Sequence, residues 1–409
     1  MLQKPKNRTL SIRFNRKELI FTLVFMGMIA LLLAMDTGFE KQIYMNSEGV
    51  RARVVSVNNE GVYNTGLLKQ GAQSCVIEIL SGTHKGETTP ATNFYIGKLE
   101  FDKAFLPGDI AWVLLERDTA NNIVFANMVE HYRIDKELTL IGLFALGIVL
   151  LSGFTGIRTL LSFAFALLSI WKILVPGMLR GYDPILLALL IGNLITIATL
   201  LLVAGFTQKA YAAILGSVAC SLFTCLIAIL LGGWFNIHGA VMQWSESLLY
   251  AGFENLDLTA TFQAGIYLAC SGAILDLAID ISSALDEVAL ANPAITPKAL
   301  LRSGLTIGRS VVGSQTTTLL LAYMGSYISV MMVYMAQGTP MMSIFNSKMV
   351  AAEILHTFVG CLGLILVCPC TAAICVAMYK KAAAPAQAKA RVHADERPLQ
   401  PLTGNLPVE

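Results

Sequence analysis

Four side chains between positions 276 and 287 have the types and spacing to handle a proton or a cation. Asp276, Asp280, Ser283 and Glu287 follow i, i+4, i+7 and i+11, which puts them on one face of a helix. The residues around them, Ile274-Leu275, Leu277-Ala278-Ile279 and Ile281, are apolar. An aspartate on such a face can change protonation or bind a cation. The segment that follows carries complementary groups. Ser303-Gly304-Leu305-Thr306-Ile307-Gly308-Arg309 leads into Ser310-Val311-Val312-Gly313-Ser314-Gln315-Thr316-Thr317-Thr318, a stretch of hydroxyls and small residues that lets helices approach closely. With the two segments running in opposite directions, Ser314 and Gln315 come level with Asp276, and Arg309 and Ser310 come nearer Asp280. Asn193 and Thr196, from an earlier apolar run, fall at a comparable depth.

Two further motifs have simpler readings. Glu353 and His356 have the Glu-x-x-His spacing that can set both on one metal, but a second such pair is missing, and an ion pair accounts for them. Cys368-Pro369-Cys370 resembles the Cys-Pro-Cys of copper-pumping ATPases. No Walker A sequence accompanies it, and Pro369 reads as a helix kink between two small residues. Intramembrane aspartyl proteolysis needs aspartates on two facing helices and a Gly-x-Gly-Asp signature, neither of which occurs here. No nucleophile–base constellation is visible, so the chain does not read as an enzyme, and no metal or other cofactor is implied.

The elements that must hold these residues follow from where the charges lie. The chain has 409 residues, of which 14% are charged, and a mean hydropathy of +0.65; soluble domains carry about 25% charged residues. Positions 138–378 hold only 17 of the 56 charged residues. That stretch reads as several membrane spans of ~20 apolar residues each. A soluble enzyme, a disordered chain and a nucleic-acid binder are thereby excluded. Apolar runs lie near 19–35, 138–157, 159–178, 184–206, 210–231, 261–286, 307–334 and 349–378, predicting about eight transmembrane helices. A carboxylate in such a span costs at least ~2.5–3.5 kcal/mol on insertion scales. Asp276 lies about ten residues, or ~15 Å, inside the inner end of its span, so it is expected to face the bundle interior, paired or protonated. The mixed segment 232–260, with Trp234, Trp244 and Tyr250, suits interfacial aromatics or a surface helix.

The run at 19–35 follows a basic segment, residues 1–18, and ends Leu32-Leu33-Ala34-Met35-Asp36. With no small-x-small cleavage pattern, it reads as an uncleaved anchor. Residues 36–137 carry 24 charges and short alternating runs. Strands are predicted at 51–57, 75–80, 110–115 and 123–126, with turns at Asn58-Asn59, Pro107-Gly108-Asp109 and Asn121-Asn122. About five strands suggest a small OB-like barrel or sandwich. Lys and Arg set the orientation: with the N-terminus cytoplasmic, the cytoplasmic segments hold sixteen and the short outer loops three, namely Lys172, Arg180 and Lys348. The positive-inside rule then puts both termini in the cytoplasm and the β domain outside. The eight cysteines, seven of them in apolar runs, read as reduced, buried residues. The tail, 379–409, is expected to be disordered beyond Ala382.

The block from Leu249 to Gly325 resembles the signature region of the YibE/F-like membrane proteins. The resemblance rests on Ser271-Gly272-Ala273, Asp276, Asp280-Ile281-Ser282-Ser283-Ala284-Leu285, Glu287, Ser303-Gly304, Ile307-Gly308-Arg309, Gly313 and Thr318-Leu319-Leu320-Leu321-Ala322-Tyr323-Met324-Gly325. The order of parts also fits: an anchor, a β region with its Leu106-Pro107-Gly108-Asp109 turn, then a seven-helix membrane domain. This chain departs from the family's pattern twice, with Ser310 where an acidic residue follows the arginine and Thr317 where an asparagine precedes the Thr-Leu. The resemblance implies a bacterial plasma-membrane protein and supplies no reaction. The residues themselves point to a permease or transport component with a polar intramembrane site, and secondly to a scaffold or envelope component whose β domain binds partners. The expected partners are the bilayer, a proton or cation with an unidentified solute, an extracytoplasmic protein and a second copy of the chain. Nucleic acid is not among them.

Overall fold

The computed structural model describes residues 16–39 and 47–395. The chain divides into two compact units, Gly38–Ser152 and a second built from the segments on either side of it.

The first unit is a β-barrel. Its strands are β1 (Ser47–Asn58), β2 (Val62–Thr65), β3 (Leu68–Ile79), β4 (Thr88–Ile96), β5 (Ile110–Arg117) and β6 (Ile123–His131). A bulge between Val54 and Ser56 lets β1 pair with β5 along its first half and with β3 along its second, as bulges do where a strand must bend. The order β1-β5-β6-β4-β3 closes on β1, with β2 as a hairpin extension of β3. All pairings are antiparallel except the single parallel one between β4 and β6 at Thr92 and Asn127. This is the five-stranded Greek-key barrel of the OB type. Alternate residues fill it: Val50, Ala52 and Val54 from β1, Cys75, Ile77 and Ile79 from β3, Val113 and Leu115 from β5. Inside, Gln73 accepts from the Phe105 N–H at 3.2 Å and donates to the Phe105 carbonyl, while Asn93 donates to Gln73 and to the Lys103 carbonyl. These bonds pin the long β4–β5 loop over the barrel end. The four predicted strands are present. Strand β4 was not expected, because Pro90 and the polar run Thr88, Thr89, Thr92 and Asn93 lack an alternating pattern. Gly108 and Asn121 hold positive φ at the predicted turns.

The second unit is helical. Helix α1 (Arg16–Ala34) precedes the barrel, and α2 (Ile134–Ser169) begins within the first unit and belongs to the second from Gly153 onward. A π turn leads from α2 into α3 (Val175–Leu179). Then come α4 (Pro184–Ala204), α5 (Gln208–Trp234), α6 (Ser245–Tyr250), α7 (Leu258–Ala291), α8 (Pro297–Ala336), α9 (Met341–Asn346) and α10 (Lys348–Asp395). Polar caps start the long helices where the sequence offers them: the side chains of Asp183, Thr207, Asp257 and Thr296 accept from backbone N–H groups of α4, α5, α7 and α8, and Pro184 and Pro297 sit at the favoured first positions.

Among the described residues, six helical stretches are long and apolar enough to cross a membrane, and Ile20–Ala34 is a shorter apolar helix. The predicted runs 138–157 and 159–178 both lie in one 46-residue stretch, Ile134–Leu179. Its 46 residues are enough for two passes of ~20 residues each, and Gly153, at the boundary between the two units, breaks it with φ 56° and ψ −128°. Helix α1 is no isolated tether: Phe25 and Leu32 are buried with Phe165, Ala198 and Leu202. The main core lies between α5, α7, α8 and α10, around Leu277, Ile281, Leu285, Leu364 and Val367. Segment 232–260 carries α6, with Trp234, Trp244 and Tyr250 exposed. Helix α10 runs on through residues 382–395. The basic residues Lys4, Lys6, Arg8 and Arg13 and the tail from 396 onward lie outside the described residues.

Burial in the barrel raises the Cys75 thiol to about 11, which leaves little reactive thiolate at neutral pH. Iodoacetamide at pH 8 is therefore expected to spare Cys75 in the folded chain and to alkylate it once denaturant opens the barrel, as peptide mass spectrometry would show.

Candidate functional site

The acidic stripe on α7 forms as its spacing demands, but it faces away from the bundle. Ile274, Leu277, Ala278, Ile281 and Leu285 turn inward and are buried. Asp276, Asp280 and Glu287 are exposed, and Ser283 is half-buried. The same outer face continues toward the helix start as Gly272, Ala269 and Gly265. The expectation that Asp276 faces the interior is thus not met. The bundle-facing side of α7 is already occupied by aliphatic packing against α5, α8 and α10.

Helix α8 seats on its neighbours through two glycines one turn apart. A Cβ at Gly304 would strike Ala372 of α10 and Leu285 of α7, and one at Gly308 would strike Cys368 and approach Ile281. This is a small-xxx-small contact, in which missing side chains let backbones close up. Gly313 plays no such part, having nothing within 4 Å of its Cβ position. The contacts also fix depth: Ile281 meets Gly308 and Leu285 meets Gly304, so Asp280 is level with Arg309, Ser283 with Thr306, and Glu287 with Arg302. Asp276 comes level with Gly313, beside Ser314 and Gln315, as expected. Yet Arg309, Ser310 and Ser314 are exposed and Gln315 is half-buried. Arg309 lies within electrostatic range of Cys368. Among the described residues, the side chains of Asp276, Asp280, Glu287, Arg302 and Arg309 form no ion pair. The hydroxyls of Thr316, Thr317 and Thr318 bond back to carbonyls of their own helix.

Asn193 belongs elsewhere. Its side-chain carbonyl accepts from the Ser221 hydroxyl at 2.8 Å, and the neighbouring Gly192 leaves room for Tyr267. It ties α4 to α5, about 13 Å of helical rise from the level of Asp276. The expected set of polar residues therefore splits into the α7 stripe, the outer face of α8, and this separate seam.

A second polar cluster joins α8 to α10. His356 stacks on Tyr323 with ring centroids 4.2 Å apart, and its Nδ1 lies 3.9 Å from a Glu353 carboxylate oxygen. The Tyr323 hydroxyl and His356 Nε2 are buried with no hydrogen-bond partner among the described residues. No third His, Cys, Asp or Glu joins Glu353 and His356 to make a metal-holding group among those residues. Cys368, Cys370 and the other six cysteines are free thiols. Sequence reasoning found Glu353 and His356 but not Tyr323, whose role depends on a neighbouring helix.

The barrel unit has its own cleft, of about 810 Å³, lined by Arg51, Arg53, Asp109, His131, Arg133 and Lys136 among others. Its charges are largely matched, with Arg51 to Asp135 at 3.4 Å, Arg53 to Glu78 at 3.4 Å and Arg133 to Glu130 at 3.1 Å. Near the β3–β4 turn, hydrogen bonds from Thr83, opposed by slight burial and aided by Arg117, hold the Glu48 carboxyl below its ordinary range.

A family model described as YibE/F-like protein matches residues 140–381, well over half of the chain. The match covers α7, α8 and the described apolar part of α10. No curated protein and no solved structure matches the chain.

The α8 seat predicts a sharp positional contrast. Gly308→Val should destabilise the purified protein by ~1–3 kcal/mol or more, the usual cost of overpacking. Gly142→Ala, at a helical position with open space around it, should be neutral or slightly stabilising. Thermal unfolding in detergent measures both.

Proposed function

The chain belongs to the YibE/F-like family, and from that premise we propose a multi-pass permease or transport component whose intramembrane polar site is the acidic face of α7. One observation carries this reading. Asp276 and Asp280 stand one turn apart on a membrane-length helix, with no ion-pair partner in the chain among the described residues. Carboxylates at that depth are costly and, in membrane proteins, belong to ion or proton paths. One of the two would take up and release a proton or small cation as solute moves, with Ser283 and the level hydroxyls of α8 as neutral ligands.

The same proposal gives the chain eight passes in a bacterial plasma membrane, the two halves of Ile134–Leu179 passing separately about Gly153, with both termini cytoplasmic and the barrel outside. Two sets of contacts support the levels this requires. Arg158 reaches the Leu201 carbonyl near the end of α4. Lys172 and Arg180 donate to the carbonyls of Met35 and Thr37, just past α1. The excess of Lys and Arg in the segments then assigned to the cytoplasm supports the direction.

A second reading, a membrane scaffold with the barrel as partner-binding module, is favoured by the outward turn of the acidic face and by the charged cleft. Proteoliposomes separate the two. Under an imposed proton or cation gradient, the wild-type chain is expected to conduct and Asp276→Asn to lose most of that flux; full flux in the variant removes Asp276 from the mechanism, and a silent wild type favours the scaffold. For sidedness, alkaline phosphatase fused at Asn121 should be active and fused at Ala382 inactive, and the opposite pattern would reverse the orientation.

A further inference from the structure

Helices α4 and α5 expose the side chains expected of a lipid-facing surface, among them Leu186, Leu190, Leu222 and Leu230. Helices α7 and α8 do not. From residue 258 to residue 319, Leu290 is the sole exposed large hydrophobic side chain. Apart from the turn between the helices and Lys298 at the start of α8, the exposed surface there is mostly Gly, Ala, Ser and Thr with three carboxylates on α7 and two guanidinium groups on α8. Beyond it α8 turns apolar again, with Leu320, Leu321, Met324 and Ile328 exposed. The patch's inner part, Asp276 and Asp280 with Gly313 and Ser314 at the level of Asp276, cannot be solvated by hydrocarbon; Glu287, Arg302 and Arg309 continue it toward the end assigned to the cytoplasm, and on the other side it stops where lipid-compatible residues resume.

The two halves of the patch are complementary in sign and matched in depth. The Gly308–Ile281 and Gly304–Leu285 contacts set Arg309 level with Asp280 and Arg302 level with Glu287. A two-fold axis along the membrane normal preserves depth, so a residue on one copy meets residues of its own level on the other. It also makes the interface self-complementary, each contact occurring twice. We propose that a second copy of this chain covers the patch, its α8 lying along the α7 stripe, with Arg309 of each copy against Asp280 of the other and Arg302 against Glu287. The small residues Gly265, Ala269, Gly272 and Gly313, facing outward with no packing role in one copy, would let the backbones approach. The acidic site is then completed by a guanidinium from the second copy. The inference uses only the membrane embedding of α7 and α8; association and flux are separate measurements, so either reading can fail alone.

Charge reversal tests it in membranes of cells making two differently tagged full-length chains. Asp280→Arg alone and Arg309→Asp alone each set like charges against each other and should abolish co-purification of the two tags. Coexpressing one Asp280→Arg chain with one Arg309→Asp chain restores both opposite-charge pairs, and co-purification should return to near the wild-type level. A photoreactive benzoylphenylalanine at position 313 provides an independent arm that needs no charge change, and its adduct should map to residues 265–287 of the other copy. The proposal falls if wild-type tags do not co-purify, if the single reversals leave association intact, if the mixed pair fails while both variants reach the membrane, or if the adduct is with lipid or a different protein. Should a reversal variant not accumulate, the position of the adduct decides.

Discussion

The close approach of α8 to α7 and α10 at Gly304 and Gly308 is the contact on which the membrane unit's chemistry depends. With side chains at those positions α8 would be held off by Cys368, Ala372 and Leu285, and two charged helices would lose their common register. With glycine there, an antiparallel pair of helices acquires a fixed vertical scale. Every statement about which carboxylate is level with which hydroxyl or guanidinium follows from that scale. The contact also decides which way the faces point. Gly304, Gly308 and Leu319 are buried on one side of α8, so Arg302, Thr306, Arg309 and Gly313 must occupy the other.

The two units meet the cost of buried polar groups by different means. In the barrel the hydrophobic effect separates inner from outer residues with a period of two, and the buried polar pair Gln73 and Asn93 satisfies loop carbonyls that water cannot reach. In the helical unit apolar burial does not distinguish inside from outside, because lipid is as apolar as leucine. Specificity there comes from notches and short polar contacts: Ser162 to Thr199 at 2.8 Å between α2 and α4, Ser221 to Asn193 between α4 and α5, and Tyr267 set against Gly192. Such contacts are each worth only ~0.6 kcal/mol on average in measured membrane bundles. They act by choosing among packings of similar energy.

This difference explains how much of the molecule was legible in the amino-acid sequence. Apolar run length located the helices, with the run from 184 beginning where α4 does, whereas α8 starts at Pro297, ten residues ahead of its predicted run at 307, because its first turns carry Lys298, Arg302 and Ser303. The four-residue stripe on α7 was legible because spacing along one helix is local. The direction in which it points was not, since periodicity says only that a helix has two faces and lipid removes the usual rule for choosing between them. Asn193 was read as part of the same site from depth alone, whereas its partner is settled by azimuth, which depends on Ser221 of another helix. Tyr323 and His356 meet only across α8 and α10. Strand β4 was missed because its pairing with β3, Pro90 opposite Val76, is imposed by barrel closure against weak local preference.

The outward stripe also gives physical meaning to the residue that follows Arg309. Arg309 is followed by Ser310 and not by a carboxylate. An adjacent carboxylate would neutralise part of the Arg309 charge within α8 itself. Without it the stretch from Arg302 to Thr318 holds two guanidinium groups and no acid, while the outward face of α7 from Asp276 to Glu287 holds three carboxylates and no base. Charge has been segregated by helix, and the two sets sit at equal depth on faces that do not meet within one chain. A segregated arrangement is unfavourable for each helix alone, and its cost falls only when opposite faces come together or when a mobile cation shares the acidic one. Both outcomes use the same register, so the glycine seat of α8 governs the acidic face whichever group neutralises it.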